Sequence, residues 1–135
     1  MAGETDLEVL LRTMGPRLRA EPYIFCSVDE ATYGRLAAAA LGMFREEEGV
    51  SLIVSRAQAD AAGLPYDELW ACITLSVHSA LSAVGLTAAV SARLAGAGLS
   101  ANVVAAYYHD HVFVPWERRE EALRALTAAQ GERAG

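Results

Sequence analysis

The chain has 135 residues, enough for one compact body or for two very small modules that share a core. Its formal net charge of −6 argues against a nucleic-acid binder and against a protein that lies on a membrane surface. All 11 basic residues are arginines, so Schiff-base chemistry and a lysine-dependent phosphate loop are excluded. We expect no membrane span and no signal peptide. Cys26 and Cys72 lie inside apolar stretches, which predicts reduced, inert thiols and a cytoplasmic location.

The first half of the chain alternates between helical and strand patterns. A capping box at residues 5–8 starts a helical spacing of apolar residues that includes Leu18, and Gly15-Pro16 is expected to break this helix in its second half. The predicted elements that follow are a strand over 23–28, a helix capped near Asp29 and running to about Leu41, strands over 41–47 and 50–54, and a short helix that begins after Ser55 and closes at Gly63.

The second half repeats this order. Its predicted elements are a strand over 69–77, a helix over 85–97, strands over 102–108 and 111–116 joined by a tight turn at His109-Asp110, and a helix over 117–129. Two successive β-α-β-β-α units predict an α+β fold. We expect a duplicated ferredoxin-like domain, with antiparallel sheets and helices packed on one face. No linker separates residues 1–67 from 68–135, so the two halves are expected to pack as one body.

Particular residues of the second half resemble the ACT-domain family. Ser-Ala-Val-Gly-Leu-Thr at residues 82–87 opens a helical segment, and Gly-Leu-Ser at residues 98–100 leads into the strand pattern of residues 102–115. Residues 44–54 extend the similarity into the first half. The chain is similar to small stand-alone bacterial ACT proteins, whose relatives include the ACT domains of arginine sensors and of aspartate kinases.

The resemblance implies a non-catalytic regulatory protein that binds an amino acid or a related small carboxylate where two domains meet side by side. Carried over to this sequence, the ligand-binding residues are Ser82, Val84, Gly85, Leu86 and Thr87 in the loop and Asn102, Val103 and Val104 in the strand. The common family form has Asp or Asn and then Pro before the glycine, where this chain has Ser82 and Val84. A helix that opens at Gly85 would offer unpaired N–H groups to a carboxylate, whatever the family.

Histidines provide an alternative from a different class of function. His78 ends one predicted strand and precedes the loop, so we also expect it to line the ligand site. His109 and His111 flank a predicted turn at the same end of the sheet. Together with Asp110, the three rings could hold a metal ion or act as acid–base groups in a small enzyme. The simpler interpretation is that His109 and His111 make hydrogen bonds at the turn and interface.

We therefore predict a binding module without a cofactor or catalytic residues, and the enzyme or metal site remains the alternative. Exposed sheet edges of small ferredoxin-like units commonly pair, which predicts a homodimer. Tyr107 and Tyr108 are expected to place one ring on each face of a strand. Phe25, Phe113 and the two tryptophans are expected to anchor the core or an interface.

Overall fold

A computed structural model describes residues 15–76 and 83–127, except for the side chains of Ala83, Val84 and Leu86. In chain order its elements are β1 (Arg17–Leu18), β2 (Tyr23–Val28), α1 (Glu30–Leu36), β3 (Gly42–Glu46), β4 (Gly49–Ser55), α2 (Arg56–Ala61), β5 (Trp70–Leu75), α3 (Ala83–Gly96), β6 (Asn102–Ala105), β7 (Asp110–Pro115), a short 3-10 helix (Trp116–Arg118) and α4 (Arg119–Thr127).

The contacts divide the chain into two compact units. The inserted unit is Ala20–Trp70, and the flanking unit contains the described residues up to Arg19 together with those from Ala71 onward. The division predicted from the sequence was into residues 1–67 and 68–135. The difference arises at the N-terminal side, because Arg17 and Leu18 pair with Thr74 and Ile73 of β5.

The inserted unit is an antiparallel sheet with the strand order β3-β4-β2 and two short helices. Alternate strand residues such as Ile24, Leu52 and Val54 are buried against the helices. Asp29 caps α1 by accepting a hydrogen bond from the amide of Thr32 at 2.8 Å. Ser55 caps α2 in the same way. These side-chain acceptors explain why both helices begin where the sequence predicts.

The flanking unit has the strand order β1-β5-β7-β6, and α3 and α4 cover one face of its sheet. Its core joins Ile73 of β5 and Val112 of β7 to Leu94 of α3 and Leu126 of α4, all of them fully buried. Gly98 follows α3 with a φ of 74°, a left-handed conformation that a residue with a Cβ rarely adopts. It therefore turns the chain out of the helix toward β6.

The order of the predicted elements is confirmed, and so is the α+β class. The strand over 23–28 matches β2 residue for residue. The helical spacing does not extend to Leu18, because Leu18 follows the break expected at Gly15-Pro16, lies in β1 and packs against the core of the flanking unit. The rest of that predicted helix lies outside the described residues. The helix predicted to open at Gly85 begins two residues earlier, at Ala83.

The hairpin between β6 and β7 differs from the prediction. Its turn lies at Tyr107-Tyr108, where the amide of Ala106 donates to the carbonyl of His109 at 2.9 Å, and not at His109-Asp110. Neither tyrosine is in a strand. Their rings meet edge to face and are 81% and 67% exposed, so the predicted placement on the two sheet faces is wrong. Aromatic residues favour strands, but the turn takes precedence here.

No helix in the described ranges 15–76 and 83–127 is both long enough and apolar enough to cross a membrane.

Candidate functional site

The start of α3 carries the described residues of the predicted ligand loop. Gly85 and Thr87 lie in the first two turns and are half-buried. The first amides of a helix have no partner within it, and the amide of Gly85 belongs to that group. His78 and Ser82 lie outside the described residues, as do the side chains of Val84 and Leu86.

The predicted strand residues lie on β6, which ends the strand order beyond β7. Asn102 is exposed, and Val104 is 39% exposed. Val103 packs against the core of the flanking unit. Two of the three predicted side chains therefore point away from the core, on the other face of the strand.

Within one chain, Gly85 and Asn102 of the predicted site lie at opposite ends of α3. Gly85 is in its first turn, whereas Asn102 follows the residues that leave its last turn. A helix of 14 residues is about 21 Å long. One small ligand cannot bridge that distance.

The two described histidines both direct Nδ1 toward β5. His109 Nδ1 lies 3.0 Å from the carbonyl oxygen of Leu75, so this nitrogen carries the hydrogen and donates it. His111 Nδ1 lies 3.0 Å from Thr74 Oγ1. The predicted third ligand, His78, is not described. Within the described part of the chain, no three His, Cys, Asp or Glu side chains form a group that could hold a metal ion.

A polar cluster lies on the opposite face of the flanking sheet, by which we mean the face turned away from α3 and α4. Arg17 and Arg19 flank Leu18, which packs against the core, so strand alternation turns both guanidinium groups to the opposite face. Arg19 Nε donates to Thr74 Oγ1 at 3.3 Å. Arg17, Leu18, Arg19 and Thr74 line an open pocket of about 300 Å³.

Burial and neighbouring charges shift the pKa values of a histidine and a cysteine next to Thr74. Burial lowers the pKa of His111, and the positive charges of Arg19 and His109 lower it further, while Asp110 acts in the opposite direction. Burial raises the pKa of the Cys72 thiol, and it also raises that of Cys26. Both thiols therefore stay protonated near neutral pH, as expected of inert cysteines.

The arginine pocket was not predicted from the sequence. Its only local signal is the alternation of Arg17, Leu18 and Arg19, a polar–apolar–polar pattern typical of a half-buried strand. That signal was hidden because Leu18 also fits the helical spacing of the preceding apolar residues. The partner, Thr74, is distant in sequence, so no spacing rule connects it to the arginines.

Two family models, each described as an ACT domain, match residues 2–71 and 67–128. No curated protein sequence matches this chain. A solved structure from Vibrio cholerae, described as a protein of unknown function and possible transport protein, is 47% identical. That match covers 93% of this chain and 97% of the other, with a TM-score of 0.78.

Two more distant structures share the fold. A protein from Agrobacterium tumefaciens is 20% identical over 84% of this chain and 87% of its own, with a TM-score of 0.63. The ligand-free regulatory subunit of aspartate kinase from Thermus thermophilus is 17% identical over 87% of this chain and 97% of its own, with a TM-score of 0.66. ACT domains are regulatory and not catalytic, in agreement with the predicted class of function. The two family models confirm the resemblance: this chain belongs to the ACT-domain family.

Proposed function

We propose that this protein is a regulatory sensor that binds an amino acid or a related small carboxylate at the start of α3. The observation that carries the proposal is the coincidence of an ACT-family match over residues 67–128 with a helix start that contains Gly85. The first amides of a helix have no partner within the helix, and together with the positive end of the helix dipole they favour a carboxylate there. The half-buried Thr87 supplies a hydroxyl in the next turn.

The site is completed by a second copy of the chain. Asn102 and the start of α3 are separated by the length of the helix, so one chain cannot bring both to one ligand. In an antiparallel pairing of two β6 edges about a two-fold axis, the beginning of one β6 lies beside the end of the other. Asn102 of the second copy would then approach the end of β6 nearest Gly85. The homodimer and the ligand site are therefore one proposal.

The proposal is tested by a thermal-shift screen of the purified protein against all twenty amino acids. One or two amino acids should raise the melting temperature, because a ligand at a hundredfold excess over its dissociation constant adds about 2.7 kcal/mol to stability. Analytical ultracentrifugation should show a dimer that this ligand strengthens. A response to none of the twenty amino acids, and to none of a panel of related small carboxylates, would contradict the sensor. A monomer at saturating ligand would contradict the shared site.

Substitution of two glycines in α3, one at each end of the helix, tests where the ligand binds. Gly85→Val places a branched side chain at the proposed seat, and Gly96→Val places the same residue at the other end of the helix, where an added Cβ meets nothing within 4 Å. We expect Gly85→Val to lose the amino-acid response while Gly96→Val keeps it. Equal binding by the two variants would place the ligand elsewhere.

A possible transport role, which is the description given to the Vibrio cholerae protein, is compatible with the same sensor. In that case the regulated partner is a transport system and not an enzyme. Identifying the proteins that bind the liganded dimer, but not the ligand-free protein, tests this extension.

A further inference from the structure

The pocket lined by Arg17, Leu18, Arg19 and Thr74 has the composition of an anion site. Arg17 is exposed, and its side chain forms no ion pair with a carboxylate in the part of the chain that the structure describes. Arg19 is half-buried beside it. Two guanidinium groups two residues apart on one strand face combine positive charge with donors that suit carboxylate or phosphate oxygens.

Thr74 is held in place at the floor of this pocket. It is buried, with only 7% of the residue exposed. Its hydroxyl accepts a hydrogen bond from Arg19 Nε at 3.3 Å and lies 3.0 Å from His111 Nδ1. Arg19 is further held by its own backbone, whose amide donates to the carbonyl of Cys72 at 2.9 Å. The pocket therefore has a fixed polar floor and one exposed guanidinium at its edge.

We propose that this pocket binds a small oxyanion, a carboxylate or a phosphate group, through Arg17, Arg19 and the hydroxyl of Thr74, whose single hydrogen points to the anion when His111 Nδ1 donates to Thr74 Oγ1. The site is separate from the start of α3 and gives the regulatory protein a second ligand. A volume of about 300 Å³ is at the small end of the range for ligand sites, and it suits one anionic group with a short substituent. A nucleotide or another large anion would extend beyond it.

The charges around the pocket make its affinity depend on pH. His111 faces Thr74 from β7, Arg19 faces it from the position directly after β1, and Cys72 lies beside it on β5. His109 and Asp110 act on His111 with opposite signs. Protonation of His111 adds a positive charge next to the floor of the pocket, so oxyanion affinity rises as pH falls. By linkage, a bound oxyanion raises the pKa of His111.

Sulfate is the probe for the test, because it is an oxyanion that does not titrate in the relevant range. Sulfate is added at constant ionic strength, with sodium chloride as the balancing salt, while NMR follows the amide of Thr74 and the ring of His111. We expect saturable shifts, and a His111 ring that titrates at higher pH when sulfate is bound. Arg17→Gln should weaken sulfate binding about tenfold, the factor that corresponds to one charge-assisted hydrogen bond.

Arg124→Gln is the matched control, since it removes the same charge from an exposed position on α4 of the same unit. Arg124→Gln should bind sulfate as the parent does. Equal weakening by the two variants, or shifts that never saturate, would overturn the proposal, because both indicate a general charge effect. Competition by acetate and by inorganic phosphate distinguishes the two sources of the anion, and success of either one supports the site.

Gly85→Val separates this inference from the proposed function. The variant should lose the amino-acid response and still bind sulfate, because α3 packs on one face of the sheet and the arginine pocket lies on the opposite face. Loss of sulfate binding in a folded Gly85→Val protein would overturn the second site, even if the sensor function holds.

Discussion

The two units have similar cores, but the sheet faces turned away from the helices differ between them. In each, alternate strand residues pack against helices, as Leu52 does in the inserted unit and Ile73 in the flanking unit. The opposite face of the inserted sheet carries exposed aromatic side chains, with Phe44 70% exposed and Phe25 38% exposed. The corresponding face of the flanking sheet carries Thr74 among polar partners. The core pattern specifies the shared fold, and the opposite face carries what distinguishes the two units.

The largest expected effect tests whether the helix-covered face of each sheet is its core. Ile73→Ala should lower the free energy of unfolding by about 2–5 kcal/mol, because Ile73 is fully buried and the change leaves a cavity. Ile53→Ala, the same change on the opposite face of the inserted sheet, should cost less than half as much because Ile53 is only half-buried. Urea denaturation measures both. Equal losses would mean that the opposite face is as much a core as the helix-covered one.

Thr74→Val should produce the next largest effect. Valine keeps the shape of threonine but leaves Arg19 Nε and His111 Nδ1 without their hydroxyl partner, at a cost of about 1–3 kcal/mol. Ser51→Ala is the matched change in the inserted unit, where the hydroxyl pairs with Glu46 at an exposed position. It should alter stability by no more than about 0.5 kcal/mol. If Thr74→Val were as mild as Ser51→Ala, the polar floor would contribute nothing to the fold.

A smaller, pH-dependent effect follows from His111. Its pKa in the folded protein lies below the ordinary value of 6.5, chiefly through burial, so between the two values the unfolded chain binds more protons than the folded one. Stability therefore falls as the pH decreases through 6.5 and below. His111→Gln should reduce this slope, measured by urea denaturation without sulfate or phosphate, and His109→Gln serves as the comparison. An unchanged slope in His111→Gln would show that another group is responsible.

The smallest effect on stability is expected at the aromatic face. Phe44→Thr should change the free energy of unfolding by about 0.5 kcal/mol or less, because the ring is mostly exposed and threonine also favours a strand. Thermal denaturation of the dilute protein measures this change. A loss above about 2 kcal/mol would show that the ring is covered in solution, and that the contrast between the two faces is weaker than the single chain indicates.

Local sequence signals predicted most of the fold. The caps at Asp29 and Ser55 and the alternation of β2 depend on neighbouring residues, and these elements occur where they were expected. Two features were missed, and one of them depends on distant residues. β1 is a strand because of its pairing with β5, and the exposed turn at Tyr107 overrides the strand preference of aromatic residues.

In the candidate sites, too, residues of a continuous motif were predicted and contacts between distant residues were not. The residues at the start of α3 were predicted because the family motif is a continuous stretch of sequence. The arginine pocket was not, because it joins Arg19 to Thr74 across 55 positions of sequence. Hydrogen-bond partners at that separation become visible only when the sheet is assembled. The two histidines were expected to make hydrogen bonds, but their common partner strand, β5, could not be derived from their spacing.

The pairing of β1 with β5 also has a consequence for synthesis of the chain. β1 leaves the ribosome before its partner, which follows only after nearly the whole inserted unit has been made. β2, β3 and β4 are all synthesised before β5, so the inserted unit can form its strand pairs while β1 is still unpaired. The amide of Arg19 and the carbonyl of Cys72, on either side of the insertion, finally meet at 2.9 Å. A folded insertion holds its two ends near each other, and it thereby reduces the entropy that the flanking sheet must lose to close.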